Sequence, residues 1–251
     1  MRSVDDLTAT ARIRDSALEL FGRDGFNVTV RAIATAADVS PSLVIHHFGS
    51  KEKLRKACDD YVADLIADSK SESLRNADPA SWLARMAEID SYATVMAYLV
   101  RSLQTGGELA RTMWRHMIDN AERYLDEGVT AGTLKPSRDP RARAKFLALA
   151  GAGAFLLYQQ QHEDPSDVRT VLRDYAAEMV LPALELYTQG LMTDATMYEA
   201  FCAQQAQQAQ EAQEAPQPPG AGGTAPADTD QAGPPESPST GGAADEPAHA
   251  V

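Results

Sequence analysis

Between Thr8 and Gln213 apolar residues recur at three- and four-residue spacings in nearly every segment, and no run of alternating β-branched residues competes with them. A chain patterned in this way has one outcome open to it, an all-α fold. Breakers divide the pattern. The first helix is expected over about 8–23, where Ile13, Ala17, Leu20 and Phe21 share a face, ended by Gly22 with Gly25. Thr29 stands as N-cap of a short run VRAIATAADV, and Ser40 of a second, PSLVIHHF, with Pro41 where a missing N–H costs nothing. Ser50 caps a long helix from Lys51 to about Ser73. Further helices are expected from Pro79 to about Ile89, over 91–103, from the Gly106–Gly107 pair to Gly132, over 140–162, and over 166 to about 191, the last bent at Pro182.

Charge separates the fold from its end. Residues 1–193 hold all 23 Lys and Arg against 27 acidic residues, whereas 194–251 hold nine acidic residues and no basic one. The formal charge of -13 is therefore a poor guide to what the folded part binds. Residues 1–57 carry nine basic and seven acidic side chains, with Lys51, Lys53, Arg55 and Lys56 clustered. The segment 194–215 is rich in Ala, Gln and Glu and reads as a helical extension. From Pro216 to Val251 eight prolines and many small residues leave too little apolar surface to offset ordering, so 216–251 is expected to be a disordered acidic tail.

Several chemistries find no support. Cys58 and Cys202 lie 144 positions apart without Cys/His ligand spacing, which points to a reduced, cytoplasmic chain without a metal site or a disulfide framework. The N-terminus lacks the apolar stretch of a secretory signal, and FLALAGAGAFLLY, Phe146 to Tyr158, is 13 residues against the roughly 20 a membrane helix needs. No nucleophile elbow, zinc-protease, phosphate-loop or dinucleotide signature is present, so an enzyme is the weakest reading, and no cofactor is expected. His46 and His47 are successive helical residues about 100° apart and cannot hold one metal from one face.

Two short helices joined by a tight connection, the second polar on one face, are the ingredients of a helix-turn-helix at about 30–49. The run Thr29, Ile33-Ala34, Ala37, Val39-Ser40, His46-His47-Phe48, Ser50-Lys51-Glu52, Leu54 resembles the DNA-binding head of the TetR (tetracycline repressor) family of bacterial regulators. Beyond the head the chain is similar to that family only in length, helicity and layout. The resemblance implies a three-helix head within 8–68, a long fourth helix, and a helical effector-binding and dimerisation body over 69–193. It also implies a homodimer on a palindromic double-stranded DNA operator and release by a small apolar or amphipathic effector.

Carried over by position, the resemblance gives Thr29, Ser50 and Lys51 to phosphates, and Arg31, Ser40, Pro41, Ser42, Leu43 and His46 to the groove, with Phe48 as a packing anchor and His47 without a necessary contact. Two positions depart from the family pattern: Ile45 where Tyr is common, without its phosphate-bonding hydroxyl, and Asp38 where Gly is common in the turn. Those departures and the acidic tail keep open a helical adaptor that retains the fold without reading DNA.

In the body, Trp82, Met86, Tyr92, Met96, Tyr98, Met113, Trp114, Met117, Tyr124, Phe155 and Tyr158 are candidates to line an effector pocket, because Met and aromatic side chains adapt to bulky apolar molecules. The same stripe, as in Met113, Met117 and Tyr124, also suits plain core. His116, Arg101 and Arg115 are candidates to orient a polar or anionic ligand. Ala150, Gly151 and Ala154 permit close helix packing, either within the chain or, as the resemblance implies, across a dimer interface.

Overall fold

The structure is a computed structural model that describes residues 4–75 and 78–214. All regular structure among the described residues is helical. The helices are α1 (Val4–Asp24), α2 (Val30–Ala36), α3 (Pro41–Phe48), α4 (Lys51–Arg75), α5 (Pro79–Ala87), α6 (Ala93–Thr105), α7 (Gly107–Thr130), α8 (Pro140–Gln161), α9 (Val168–Gln189) and α10 (Thr196–Glu214), with a 3-10 turn at Ile89–Tyr92. The expected tail, 216–251, lies outside the described residues.

Local chemistry sets the boundaries. Thr29 Oγ1 accepts from Ala32 N, Ser40 Oγ from Leu43 N and Ser50 Oγ from Lys53 N, each at 3.2 Å, so three successive helices start on a hydroxyl cap. Asp78, Asp139 and Asp167 cap α5, α8 and α9 in the same manner. Pro182 stands inside α9, where a bend is expected.

Two glycines behave differently from each other. Gly25, with φ +82°, ends α1 as expected, but Gly22 lies within that helix. A Cβ on Gly22 would meet Tyr98 N at 3.1 Å and the Ala97 Cβ at 3.2 Å, so this glycine lets α6 approach α1 rather than stopping the helix.

α1 to α4 close a core of Ile13, Ala17, Phe21, Ile33, Val44, Leu54, Cys58 and Val62, and this core extends into α6 and α7 through Tyr98, Leu99 and Met113. Residues of the expected head and body thus share one apolar interior. Met96 packs against this core and also against a second, built by Val100, Phe155, Val171 and Leu172. A third joins Ala121 and Leu125 of α7 to Ala144 and Ala148 of α8. The unit so formed runs to Leu191. A second unit begins at Met192 and holds α10, on which Met197, Tyr198 and Phe201 are exposed. No helix of the described residues is long and apolar enough to cross a membrane.

Candidate nucleic-acid interface and body

The turn between α2 and α3 is fixed by backbone bonds from Ala37 N to Ile33 O and from Val39 N to Ala34 O. Making that turn puts Asp38 at φ 53°, the one positive-φ residue other than glycine among the described residues, at the position where a glycine is common in the family pattern. α3 then directs Val44, 1% exposed, into the core, with Phe48 packed against it. Burying Val44 contributes about 2 kcal/mol to holding α3 in place. Gly49, with φ 80°, ends α3 and allows the reversal into α4.

The opposite side of α3 faces outward. Ser40, Pro41, Ser42, Ile45 and His46 are exposed, and Leu43 is half-buried at its edge. Ser40 and Ser42 hydroxyls lie 2.9 Å apart. His47 is not a bystander: its Nδ1 lies 3.2 Å from Thr10 Oγ1, which ties α3 to α1, and its Nε2 is buried without a partner among the described residues. The two histidine rings meet edge to face at 5.5 Å.

The local basic excess divides by geometry. Lys56 is paired with Asp60 at 2.6 Å, and the Arg55 guanidinium lies 3.4 Å above the Phe26 ring. Arg31 is exposed and Lys51 half-buried, and the Glu52 carboxyl beside Lys51 is held below its usual pKa by its own backbone N–H, the Ser50 hydroxyl and the Lys51 charge. At Thr29 and Ser50 the hydroxyl oxygen is used as a helix cap; the Thr29 O–H is left able to donate to an anion, whereas the Ser50 O–H donates to the Glu52 carboxylate. Two capped helix starts, the cations Arg31 and Lys51 and an exposed polar face therefore lie within one short stretch of chain. That combination suits a phosphate backbone flanking a groove.

Below the head, Tyr98 is fully buried. Its hydroxyl donates to Asp59 Oδ1 at 2.7 Å and lies 3.2 Å from Arg55 O, while its ring meets Phe26 edge-on at 5.8 Å and Phe21 at 6.4 Å. Ser102 Oγ reaches the same carboxylate oxygen at 3.5 Å. Burial raises the Asp59 pKa, partly opposed by the Tyr98 hydrogen bond and the nearby Arg55 charge. Periodicity alone does not distinguish this buried hydroxyl–carboxylate tether from a pocket wall. Burial also pushes the Cys58 thiol up to about 12, which leaves it a packing group.

The residues expected around an effector do not gather in one place. Tyr98, Met113 and Met117 belong to the head-side core, and Trp114 and Tyr124 pack with the α7–α8 cluster. Tyr92, Met96, Phe155 and Tyr158 do meet, around Val100, Val171 and Leu172, with Tyr175 edge-on to Phe155 at 5.2 Å and to Tyr158 at 5.4 Å. Trp82 and Met86 are half-buried on α5. Arg115 is paired with Glu108, Arg101 bonds Arg23 O, and His116 Nδ1 lies 3.6 Å from Asp60.

Two recesses open along α4 and α7 instead. One, of about 460 Å³, is lined by Asp64, Asp68, Ser71, Arg75, Arg123 and Glu127, and one of about 340 Å³ by Asp60, Asp64, His116, Asp119 and Asn120. Apart from His116, none of the residues expected around an effector lines either. Among the described residues no group of three or more His, Cys, Asp or Glu is placed to hold a metal ion.

Ala150, Gly151 and Ala154 are exposed, and a Cβ on Gly151 would meet nothing within 4 Å, so these small residues do not serve packing within the described chain. Around them Phe146 (68% exposed), Leu149 and Leu157 on α8, and Leu181 (73%), Leu184 and Tyr187 on α9, leave a broad apolar surface uncovered.

A head whose capped second helix of the turn motif projects a polar face beside Arg31 and Lys51 has the features of a helix-turn-helix DNA-binding protein. The comparisons agree. Residues 13–58 match the family described as bacterial regulatory proteins, tetR family, and residues 90–193 match the tetracyclin repressor-like C-terminal domain. The HTH-type transcriptional regulatory protein RaaS of Mycobacterium tuberculosis is 68% identical over 204 residues, 81% of this chain and 96% of that one. The HTH-type transcriptional dual regulator CecR of Shigella flexneri is 42% identical over 53 residues, 21% of this chain and 24% of that one. A solved structure described as the molecular basis for control of antibiotic production by bacterial hormones shares the fold, with a TM-score of 0.50 and 20% identity, over 72% of this chain and 98% of that one.

The chain belongs to the TetR family and is a DNA-binding regulator of transcription. Regulators of this family bind operator DNA as dimers and respond to small-molecule effectors.

Proposed function

We propose that this protein is a cytoplasmic repressor that occupies a palindromic operator as a homodimer and leaves it when a small apolar or amphipathic effector binds the body. The observation that carries the DNA assignment is the exposed outward face of α3 flanked by Arg31 and Lys51 at the starts of α2 and α4. In this reading Thr29, Ser50 and Lys51 hold phosphates, and Arg31, Ser40, Pro41, Ser42, Leu43 and His46 meet the groove. The exposed apolar surface of α8 and α9 around Ala150, Gly151 and Ala154 joins the two subunits, because an uncovered patch of that breadth is a liability in a monomer. The effector enters beside Tyr92, Met96, Phe155 and Tyr158, where Met96 touches both the body cluster and the head core. Such a ligand acts only if it binds the two arrangements of the heads unequally.

Binding measured by fluorescence anisotropy against the DNA flanking the protein's own gene tests the assignment. Lys51→Ala should weaken all duplexes alike and lower the salt slope by about 0.9 per subunit contact, while Arg31→Ala should relax discrimination at particular bases. Wild-type behaviour of both variants would refute it.

A further inference from the structure

Ile45 is 44% exposed and is the one large hydrophobic residue of the head left exposed among the described residues of 8–68. It stands one turn after Pro41 on the outward side of α3, beside exposed Ser42 and His46, while Val44 and Phe48 anchor the inward side. Folding gains little from an isoleucine held there. Its position coincides with the surface proposed to enter the groove, so what it meets is decided by the groove's chemistry.

Among the major-groove edges thymine alone carries a methyl group, at C5, where cytosine has only a C–H, and the other edges are dominated by hydrogen-bonding atoms. An isoleucine set against an amino or carbonyl edge strips water from it without returning a hydrogen bond, but against a methyl it removes apolar surface from water on both sides. The side chain is also prepared for the contact. In a helix its β-branch leaves one strongly favoured χ1 rotamer, so little side-chain freedom is lost on docking.

We propose that Ile45 is a specificity-determining residue that reads a thymine methyl, once in each half-site of the operator. The position thereby replaces the phosphate contact that the family resemblance implies for a tyrosine hydroxyl there with a base contact, trading sequence-independent grip for discrimination. This inference rests on the proposed placement of α3 in the major groove.

The test uses the full chain and a duplex selected by it from a random library. Each thymine is replaced in turn by deoxyuridine, which deletes only the methyl. One symmetry-related pair of thymines should stand out. Burial of one methyl group at about 0.8 kcal/mol corresponds to roughly fourfold in affinity per half-site, and to about fourteenfold when both are replaced. In Ile45→Ala the same substitutions should have no further effect, whereas Leu83→Ala, at an exposed leucine of α5, should retain the wild-type sensitivity. Placing 5-methylcytosine, but not cytosine, at that position should recover part of the lost affinity for wild type alone. A flat deoxyuridine scan in wild type, or a scan unchanged in Ile45→Ala, overturns the proposal while leaving DNA binding intact. Failure of wild type to select any duplex overturns the DNA assignment itself, and this inference with it.

Discussion

Replacing Tyr98 by Phe removes one oxygen from the joint between head and body and leaves the ring, its contacts with Phe21 and Phe26, and its volume in place. The oxygen removed donates at 2.7 Å to Asp59 Oδ1, and Asp59 is only 7% exposed. A hydrogen bond to an ionised carboxylate contributes about 1.5–3 kcal/mol, and Ser102, at 3.5 Å, is too distant to replace it. In a folded unit of this size each kcal/mol moves the melting temperature by about 2–4 °C, so a loss of about 2 kcal/mol lowers it by roughly 4–8 °C. The pH dependence sharpens the test. Burial already raises the Asp59 pKa above its unfolded value, so that group's contribution is largest below the unfolded value and falls as pH rises through the folded one. The Tyr98 bond opposes the raise, and its removal moves the folded pKa further up. The destabilisation should therefore be small where Asp59 is protonated in both proteins and grow as pH rises. Thermal unfolding of wild type and Tyr98→Phe across acid to neutral pH measures this difference. An unchanged melting temperature, or a deficit that grows on the acid side, would show that the hydroxyl–carboxylate pair is not the tether described.

Two further outcomes follow from the geometry. Asp38→Gly relieves the left-handed conformation at φ 53° and should raise stability by about 0.5 kcal/mol after the entropy of the more flexible unfolded chain is subtracted; a lower melting temperature would mean that the aspartate side chain itself supports the turn. His162 Nε2 lies 3.1 Å from Asp174 Oδ2, and that hydrogen bond holds the imidazole pKa above its usual value. Its contribution is fully present below the unfolded value and is lost as pH rises through the folded one. The melting-temperature difference between wild type and His162→Gln should thus narrow on the alkaline side of that range, and a difference that widens there would contradict the pairing.

The head is largely legible in the sequence. Caps, turn and termination are local chemistry: a hydroxyl three residues before an N–H, a glycine after the last turn, a short polar residue at a left-handed position. Thr29, Ser40, Ser50 and Asp38 therefore have their expected geometry. The body is less legible. An apolar stripe at helical spacing reports that one face avoids water, not what covers it. Tyr98 and Met113 look like pocket residues by type but are sealed in the joint with the head, and Gly22 looks like a terminator but is a close approach of α6. His47, adjacent to the exposed His46, turns inward to Thr10.

What the sequence determines by itself is the helical period, the caps that start the helices, the helix-turn-helix order, and the placing of nine acidic and no basic residues in 194–251. These depend on interactions within a few residues, or on composition. What only the tertiary structure decides is which cations are taken up by acidic or aromatic neighbours, which small residues of α8 face outward, which tyrosine hydroxyl is buried on a carboxylate, and that Ile45 is left exposed on the outward side of α3. Each of these depends on which helix lies against which, and residues far apart in the chain set that arrangement by packing to a common density that no local pattern records.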